Sequence, residues 1–157
     1  MGPVTPTAHR ALRLVFLFGG AAMLTLALAP VLLAGDPWAG RLAAGLDAVL
    51  LKPFCHQLPG RSLHLFGAQV GLCWRCLALL VGGLAGTLAA GLPGRWPRRK
   101  AQLVAVAALA PMFMDVGAQT LHMYSSNLTR VATGLVTGLG VSLALLSAVA
   151  PPPEGTA

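Results

Sequence analysis

The sequence predicts an all-α integral membrane protein with four transmembrane helices, an interfacial helix and a cysteine-rich extracytoplasmic loop. Of its 157 residues, 56% are hydrophobic and only 10% are charged, whereas about a quarter of the residues in a soluble domain are charged. The apolar residues form long uncharged runs, and most of the basic residues cluster at the ends of these runs. This composition excludes a large soluble catalytic domain and, for most of the length, intrinsic disorder.

Four segments are long enough to cross about 30 Å of hydrocarbon at about 1.5 Å per residue. We predict transmembrane helices at about residues 12–33, 72–92, 101–119 and 131–150. The first segment resembles a signal peptide, but its apolar run is longer than a signal core and Pro30 follows the candidate cleavage site, so we interpret it as a retained anchor. Residues 1–150 then form one membrane domain, and residues 151–157 form a disordered tail.

The basic residues predict the orientation in the membrane. The net charge is +7, and six of the eleven Lys and Arg residues lie in two clusters: Arg10 and Arg13 before the first helix, and Arg95, Arg98, Arg99 and Lys100 between the second and third helices. Basic loops stay cytoplasmic, so we expect a multi-pass protein of the cytoplasmic (inner) membrane with both termini cytoplasmic and the cysteine-rich loop outside. Basic residues at helix ends favour contact with the lipid bilayer over nucleic acid, which we do not expect as a partner.

The segment 38–52 predicts a helix lying in the membrane interface. Trp38, Leu42 and Leu46 fall on one helical face, together with Val49 or Leu50. Such an apolar face can rest on the acyl chains while polar groups face water. The alternative is a poorly ordered loop whose periodicity arises by chance.

Two pairs of glycines have the spacing that lets helices approach closely in lipid. Gly82 and Gly86 lie in the second helix, and Gly134 and Gly138 lie in the fourth. We expect these glycines to pack helices within the chain rather than to form a dedicated dimer face, and a homo-oligomer stays open.

All three cysteines lie within the loop 53–76. Cys73 and Cys76 are three residues apart at the start of the second helix, so both can face one centre, and a helix N-terminus favours their thiolate form. Cys55 can reach the same centre from upstream. Three sulfurs and one nitrogen or oxygen suit zinc. The predicted ligands are Cys55, Cys73, Cys76 and His56, with His64, His122 and Asp115 as alternatives for the fourth position.

Other interpretations of the cysteines stay open. In one, the chain is a membrane thiol–disulfide oxidoreductase in which Cys73 and Cys76 are the redox pair, Cys55 is the exchanging thiol and a quinone accepts the electrons. In another, two cysteines form a structural disulfide and the third is spare. The chain could also be an accessory subunit without catalysis.

Polar residues inside the apolar helices predict a second feature. Asp115 lies within the third helix, and an intramembrane acid is by default functional or paired. Either it forms the floor of a polar pocket beneath the cysteine loop, or it pairs with Arg130 and locks two helices together. The candidate catalytic residues are Asp115, His56, Arg61 and Arg130, and the candidate cofactor-binding residues are Gln57, Gln119, His122 and Asn127. Arginines here would hold an anionic small molecule or a lipid headgroup.

These motifs resemble those of an uncharacterised family of small bacterial membrane proteins. The shared pattern is Cys55-His56-Gln57-x-Pro59-x-Arg61-Ser62 followed by Cys73-x-Arg75-Cys76, and it continues through Pro111, Asp115, Gln119 and Ser126-Asn127-x-x-Arg130. The likeness covers roughly residues 50 to 140. The chain departs from the pattern at Gly60, where an acidic residue is common, and at Val116, where glycine often follows the aspartate. The resemblance supports the fold and the site residues and implies no activity.

Overall fold

The computed structural model describes residues 5–90, 98–121 and 126–150. In chain order the described elements are α1 (Pro6–Leu32), α2 (Pro37–Leu50), β1 (Ser62–Leu65), β2 (Ala68–Cys73), α3 (Trp74–Ala89), α4 (Arg98–Thr120) and α5 (Asn127–Val149). The segment 91–97, His122 with its neighbours 123–125, and the tail 151–157 for which we predict disorder lie outside the described residues.

Three helices of the described chain, α1, α4 and α5, are long and apolar enough to cross a membrane. The apolar helix α3 has 16 residues and spans only about 24 Å at about 1.5 Å per residue. It begins at Trp74 rather than at residue 72, because residues 68–73 form a strand. Helix α5 begins four residues earlier than its apolar run, since Ser126 caps it by accepting a hydrogen bond from the Thr129 N–H at 3.1 Å.

The cysteine-rich loop contains a β-hairpin, so the all-α prediction is wrong in this segment. Strand β1 pairs antiparallel with β2, and Ser62 lies opposite Cys73. The turn uses Phe66 and Gly67, whose φ angles are +50° and +80°. Alternation along β2 places Val70 and Leu72 on one buried face. Six residues were too short a run to separate this strand from the apolar helix that follows it.

The C-terminal end of α1 supports this hairpin through a small apolar core. Val70 and Leu72 of β2 pack in one cluster with Ala27 and Val31 of α1. Cys55 belongs to the same cluster. Helix α1 therefore fixes the position of the cysteine loop at this end of the bundle.

Glycines join α3 and α5 side by side, in parallel. Gly82 and Gly86 lie against the backbone of Leu135 and Leu139, and Gly134 and Gly138 lie in turn against the backbone of α3. A Cβ atom at any of the four would come closer than 3.0 Å to the opposing helix. The prediction that these glycines pack helices within the chain is confirmed, and small residues make the close approach possible.

Helix α4 completes the bundle against α5. The Thr137 hydroxyl donates a 2.7 Å hydrogen bond to the carbonyl oxygen of Ala108. At the far end of the bundle, the His9 ring nitrogen lies 3.1 Å from the carbonyl oxygen of Leu146, so α1 begins where α5 ends. We call the opposite end, which carries the hairpin, the cysteine end.

Helix α2 confirms the helix predicted at residues 38–52, and the alternative of a poorly ordered loop is wrong. Asp36 caps it by accepting hydrogen bonds from the N–H groups of Trp38 and Ala39 at 2.8 and 3.1 Å. Its apolar side is turned outward: Trp38 is 78% exposed and Val49 is 72% exposed. Its inner side buries Asp47 instead. This pattern is opposite to that of a helix in a soluble protein and suits a helix resting on a bilayer.

Candidate metal centre

The fold brings the three cysteines together from three different elements. Cys55 follows α2, Cys73 ends β2, and Cys76 lies in the first turn of α3. Their Sγ atoms all lie within 4.8 Å of one another, and all three are free thiols. Zinc–sulfur bonds of about 2.3 Å in a tetrahedron place neighbouring sulfurs about 3.8 Å apart. Small side-chain rotations would therefore close this cluster around one ion.

Cys55 is the fixed member of the cluster. It is only 2% exposed and packs in the apolar core, and its N–H donates to the carbonyl oxygen of Leu51 at 2.9 Å. Its sulfur accepts a 3.2 Å hydrogen bond from the N–H of Cys73. The loop and the start of α3 are thus already joined by a sulfur contact, without any ion.

The cluster favours the thiolate form at Cys73. Hydrogen bonds from the Cys55 and Cys76 thiols, joined by the N–H groups of Cys76 and Arg75, hold the pKa of the Cys73 thiol well below its usual range. Burial opposes this effect only in part. Thiolate is the form that binds metal and attacks disulfides, so the centre is suited to either chemistry.

Gln57 clamps the loop that carries Cys55. Its backbone has a φ of +50°, in the left-handed region. Its side-chain nitrogen donates to the carbonyl oxygens of Gly71 at 2.8 Å and Asp47 at 3.2 Å, and its own carbonyl accepts from Gln69 at 2.8 Å. We expected Gln57 to bind a cofactor, but its amide holds the loop to β2 and α2.

The candidate fourth ligands lie apart from the sulfur cluster. His56 is exposed beside Cys55, and the His64 ring nitrogen lies 3.2 Å from the carbonyl oxygen of Ser62. In the part of the chain that the structure describes, the close group consists of the three cysteines. His122 is outside the described residues. The described cluster thus offers three protein ligands.

Asp115 forms an ion pair with Arg75, which joins α4 to the first turn of α3. The Gln119 side-chain nitrogen donates to the Asp115 carboxylate at 3.1 Å, and Arg61 donates a long 3.5 Å hydrogen bond to the Gln119 side-chain oxygen. One of the two alternatives for Asp115 was an ion pair with Arg130, whereas the partner in the structure is Arg75. The signal for Arg75 was its position inside the Cys73-x-Arg75-Cys76 motif.

Arg130 lies at the level of this ion pair. It is one helical turn before Gly134, which packs against the carbonyl oxygen of Arg75. Its guanidinium donates to the Asn127 side-chain oxygen at 2.8 Å. The Nε atoms of both Arg75 and Arg130 are buried and have no hydrogen-bond partner among the described residues. We call Arg61, Arg75 and Arg130, together with Asp115, the arginine layer.

Asp47 is a buried acid that we did not predict as a site residue. It is 3% exposed, and neither carboxylate oxygen has a hydrogen-bond partner within the described residues. The carboxyl group lies directly over Gly71, where a Cβ atom would collide with it. Burial raises its pKa to about 6. The chain has only four acidic residues, and that scarcity was a signal that Asp47 has a role.

Comparison with known proteins identifies a family but no activity. A family model described as "Predicted membrane protein (DUF2085)" matches residues 55–144, more than half of the chain and the whole span from Cys55 to Arg130. The uncharacterized protein MJ1492 of Methanocaldococcus jannaschii is 29% identical over 102 residues, which cover 59% of this chain and 61% of that protein. The match thus spans less than two thirds of the relative's length. No solved structure matches the chain.

Proposed function

This chain belongs to the DUF2085 family of predicted membrane proteins. We propose that it holds a zinc ion on Cys55, Cys73 and Cys76 at the surface of a bilayer-embedded helix bundle. The observation that carries this proposal is the convergence of three thiols within 4.8 Å from a loop, a strand and a helix N-terminus. The sulfurs come from separate elements, yet Gln57 and the apolar core hold them at one point.

The proposed centre has three sulfur ligands and room for one exchangeable ligand. Zinc with three protein ligands polarises the molecule in its fourth position, whereas a structural site has all four positions filled by protein. His56 is close enough in sequence to act as the fourth ligand or as a proton carrier beside the centre. Asp115, held by Arg75, would orient groups that approach from the bundle, and the arginine layer would hold an anionic one.

We further propose that α3 spans the membrane with α1, α4 and α5, in a single domain. Its 16 residues suffice if its N-terminus lies at the interface, where the hairpin and α2 cover it. The basic residues 10, 13 and 98–100 then lie in the cytoplasm of a bacterial cell and the cysteine end lies outside. A membrane-impermeant maleimide should label Cys73 or Cys76 in intact cells after chelation, and labelling only after lysis would reverse this orientation.

A second function is favoured by the same contact between Cys73 and Cys55. Three thiols in mutual reach can exchange a disulfide among themselves. In this alternative Cys73 and Cys76 are oxidised to a disulfide, and their two electrons and two protons reduce a quinone to the quinol. A disulfide at Cys73 and Cys76 that served only structure would leave the same thiol count, but after reduction its two thiols would not reduce a quinone.

The metal content of the purified chain tests these proposals. We expect near one zinc per chain by plasma mass spectrometry, lost in Cys73→Ser and retained in Ser62→Ala, which alters a hydroxyl nearby that donates to the Leu58 carbonyl oxygen. Thiols are counted on the same sample. One free thiol per chain without metal would reject the zinc centre and establish a disulfide. That disulfide would then be reduced, and the reoxidation of its two thiols by a soluble quinone would be measured as quinol formed.

A further inference from the structure

An apolar groove of about 620 Å³, open along one side of the bundle, lies between α1, α3, α4 and α5, and we call it the chamber. It runs along α3 from Leu79 to Thr87 and along α5 from Thr137 to Leu145, a length of about 12 Å at about 1.5 Å per residue. Its walls are almost entirely hydrocarbon, and Gly19 and Gly83 face it with open space where a side chain would be. The bundle thus has room for an elongated apolar group.

The chamber reaches the arginine layer at its upper end. Leu79 lies one helical turn below Arg75 on α3, and Met112 lies three residues before Asp115 on α4. Leu80, beside Leu79, also packs against the apolar core that contains Cys55. A molecule in the chamber would therefore have its upper end beside the Arg75–Asp115 ion pair and near the sulfur cluster.

The polar end of such a molecule would meet an excess of positive charge. The arginine layer has three guanidinium groups and one carboxylate. The buried Nε atoms of Arg75 and Arg130 have no hydrogen-bond partner among the described residues. Buried donors without an acceptor are costly, and guanidinium groups pair with phosphate by charge-assisted hydrogen bonds. The unmet donors and the local charge both select an anionic headgroup.

We propose that the chain binds one phospholipid with a net negative headgroup, whose phosphate lies in the arginine layer and whose hydrocarbon chain occupies the chamber. The proposal deepens the suggested anion-holding role of the arginine layer and rests on it, but it requires no metal. The apolar walls exclude a soluble phosphate ester as the natural ligand, because such a molecule would leave the chamber without an occupant.

Native mass spectrometry of the detergent-purified full chain tests this proposal with dioleoylphosphatidylglycerol as the probe. We expect one retained lipid per chain and weaker retention of dioleoylphosphatidylcholine, which has no net charge. Arg130→Gln should lower the affinity about tenfold or more, as expected for loss of a charge-assisted hydrogen bond. Arg130→Lys keeps the charge and should retain most of the binding, which separates loss of charge from misfolding.

The chamber is tested independently of the arginines. Gly19→Leu fills the open space in the chamber and should lower lipid affinity severalfold, whereas Gly117→Leu makes the same change in α4, at a position with open space outside the chamber. Equal retention of both lipids, or unchanged binding in Gly19→Leu and Arg130→Gln, would overturn the proposal. One further outcome would reduce the site to a phosphate site and also overturn the proposal. In this outcome, inorganic phosphate displaces the lipid equally from both glycine variants, and Gly19→Leu leaves the lipid affinity unchanged.

The same assay separates this proposal from the zinc centre. Lipid binding should persist after chelation and in Cys73→Ser, even though the metal is lost. Lipid binding without zinc would reject only the metal centre, and zinc without selective lipid binding would reject only the lipid site.

Discussion

Arg75 and Asp115 form an ion pair that joins the first turn of α3 to the C-terminal part of α4. Arg75 directly precedes Cys76 in the sequence. The pair connects the cysteine motif to the intramembrane acid, although Arg75 and Asp115 are 40 residues apart in the sequence. It also explains how an aspartate is tolerated in an apolar helix, because a guanidinium and the Gln119 amide both donate to its carboxylate oxygen Oδ2.

Breaking this ion pair should destabilise the bundle while leaving membrane insertion intact. Asp115→Asn leaves the Arg75 charge partly buried without its counterion, a change that costs about 3–5 kcal/mol for buried pairs. Thermal unfolding in detergent, followed by circular dichroism, measures the loss. The double variant Arg75→Gln, Asp115→Asn should recover part of it. A double variant whose stability equals the sum of both single losses would show that the two side chains do not interact.

Removing the Gln57 clamp should weaken the metal centre without removing a ligand. Gln57→Ala loses both side-chain hydrogen bonds to the carbonyl oxygens of Asp47 and Gly71. Loss of such supporting contacts lowers metal affinity about 10- to 100-fold. Competition for zinc against a chromophoric chelator measures the change. Gln69→Ala, which removes only the bond to the Gln57 carbonyl, is the matched control and should have the smaller effect. Equal affinities in all three proteins would contradict the clamp.

Asp47 should make the chain less stable as the pH rises from about 4 to about 6. Burial raises the pKa of Asp47 from 3.8 in a free chain to about 6 in the fold. Between these values the folded state binds a proton that the unfolded state has released, so stability is full at the acidic side and is lost as pH rises through the folded pKa. Unfolding by denaturant in detergent at several pH values measures this slope.

Asp47→Asn should flatten that slope, because a neutral amide replaces the carboxyl over Gly71. Asp36→Asn is the control: this carboxyl lies at the exposed start of the same helix, where hydrogen bonds from the Ala39 and Trp38 N–H groups lower its pKa. Its removal should leave the slope between pH 4 and 6 in place. An unchanged slope in Asp47→Asn would show that Asp47 titrates normally.

The helices and the sulfur cluster could be predicted from the sequence because each rests on a local pattern. Long apolar runs predict α1, α4 and α5, and a thiol pair three residues apart predicts one turn of α3. The helix α2 was found from its apolar stripe. The predicted second helix begins too early, because residues 72 and 73 belong to strand β2 and the helix α3 has 16 residues.

The remaining features depend on tertiary contacts. Nothing local in Asp115 selects Arg75 over Arg130, because the choice is made by how α3 and α4 pack. The sequence predicts Gln57 as a binding residue. Its left-handed backbone and its two carbonyl acceptors could not be predicted, because they exist only when α2 and β2 meet. Asp47 escaped notice because its burial follows from the inward turn of α2.

The glycine contact between α3 and α5 fixes the position of one helix along the axis of the other. Each glycine fits over one particular backbone segment of its partner, so sliding one helix by a single residue would drive side chains into that backbone. The height of Cys76 relative to Arg130 is consequently set by a seam that begins close to both residues, where Gly134 lies against the carbonyl oxygen of Arg75, and continues along the two helices. Substitutions along this seam should therefore displace Cys76 relative to Arg130 without changing either residue.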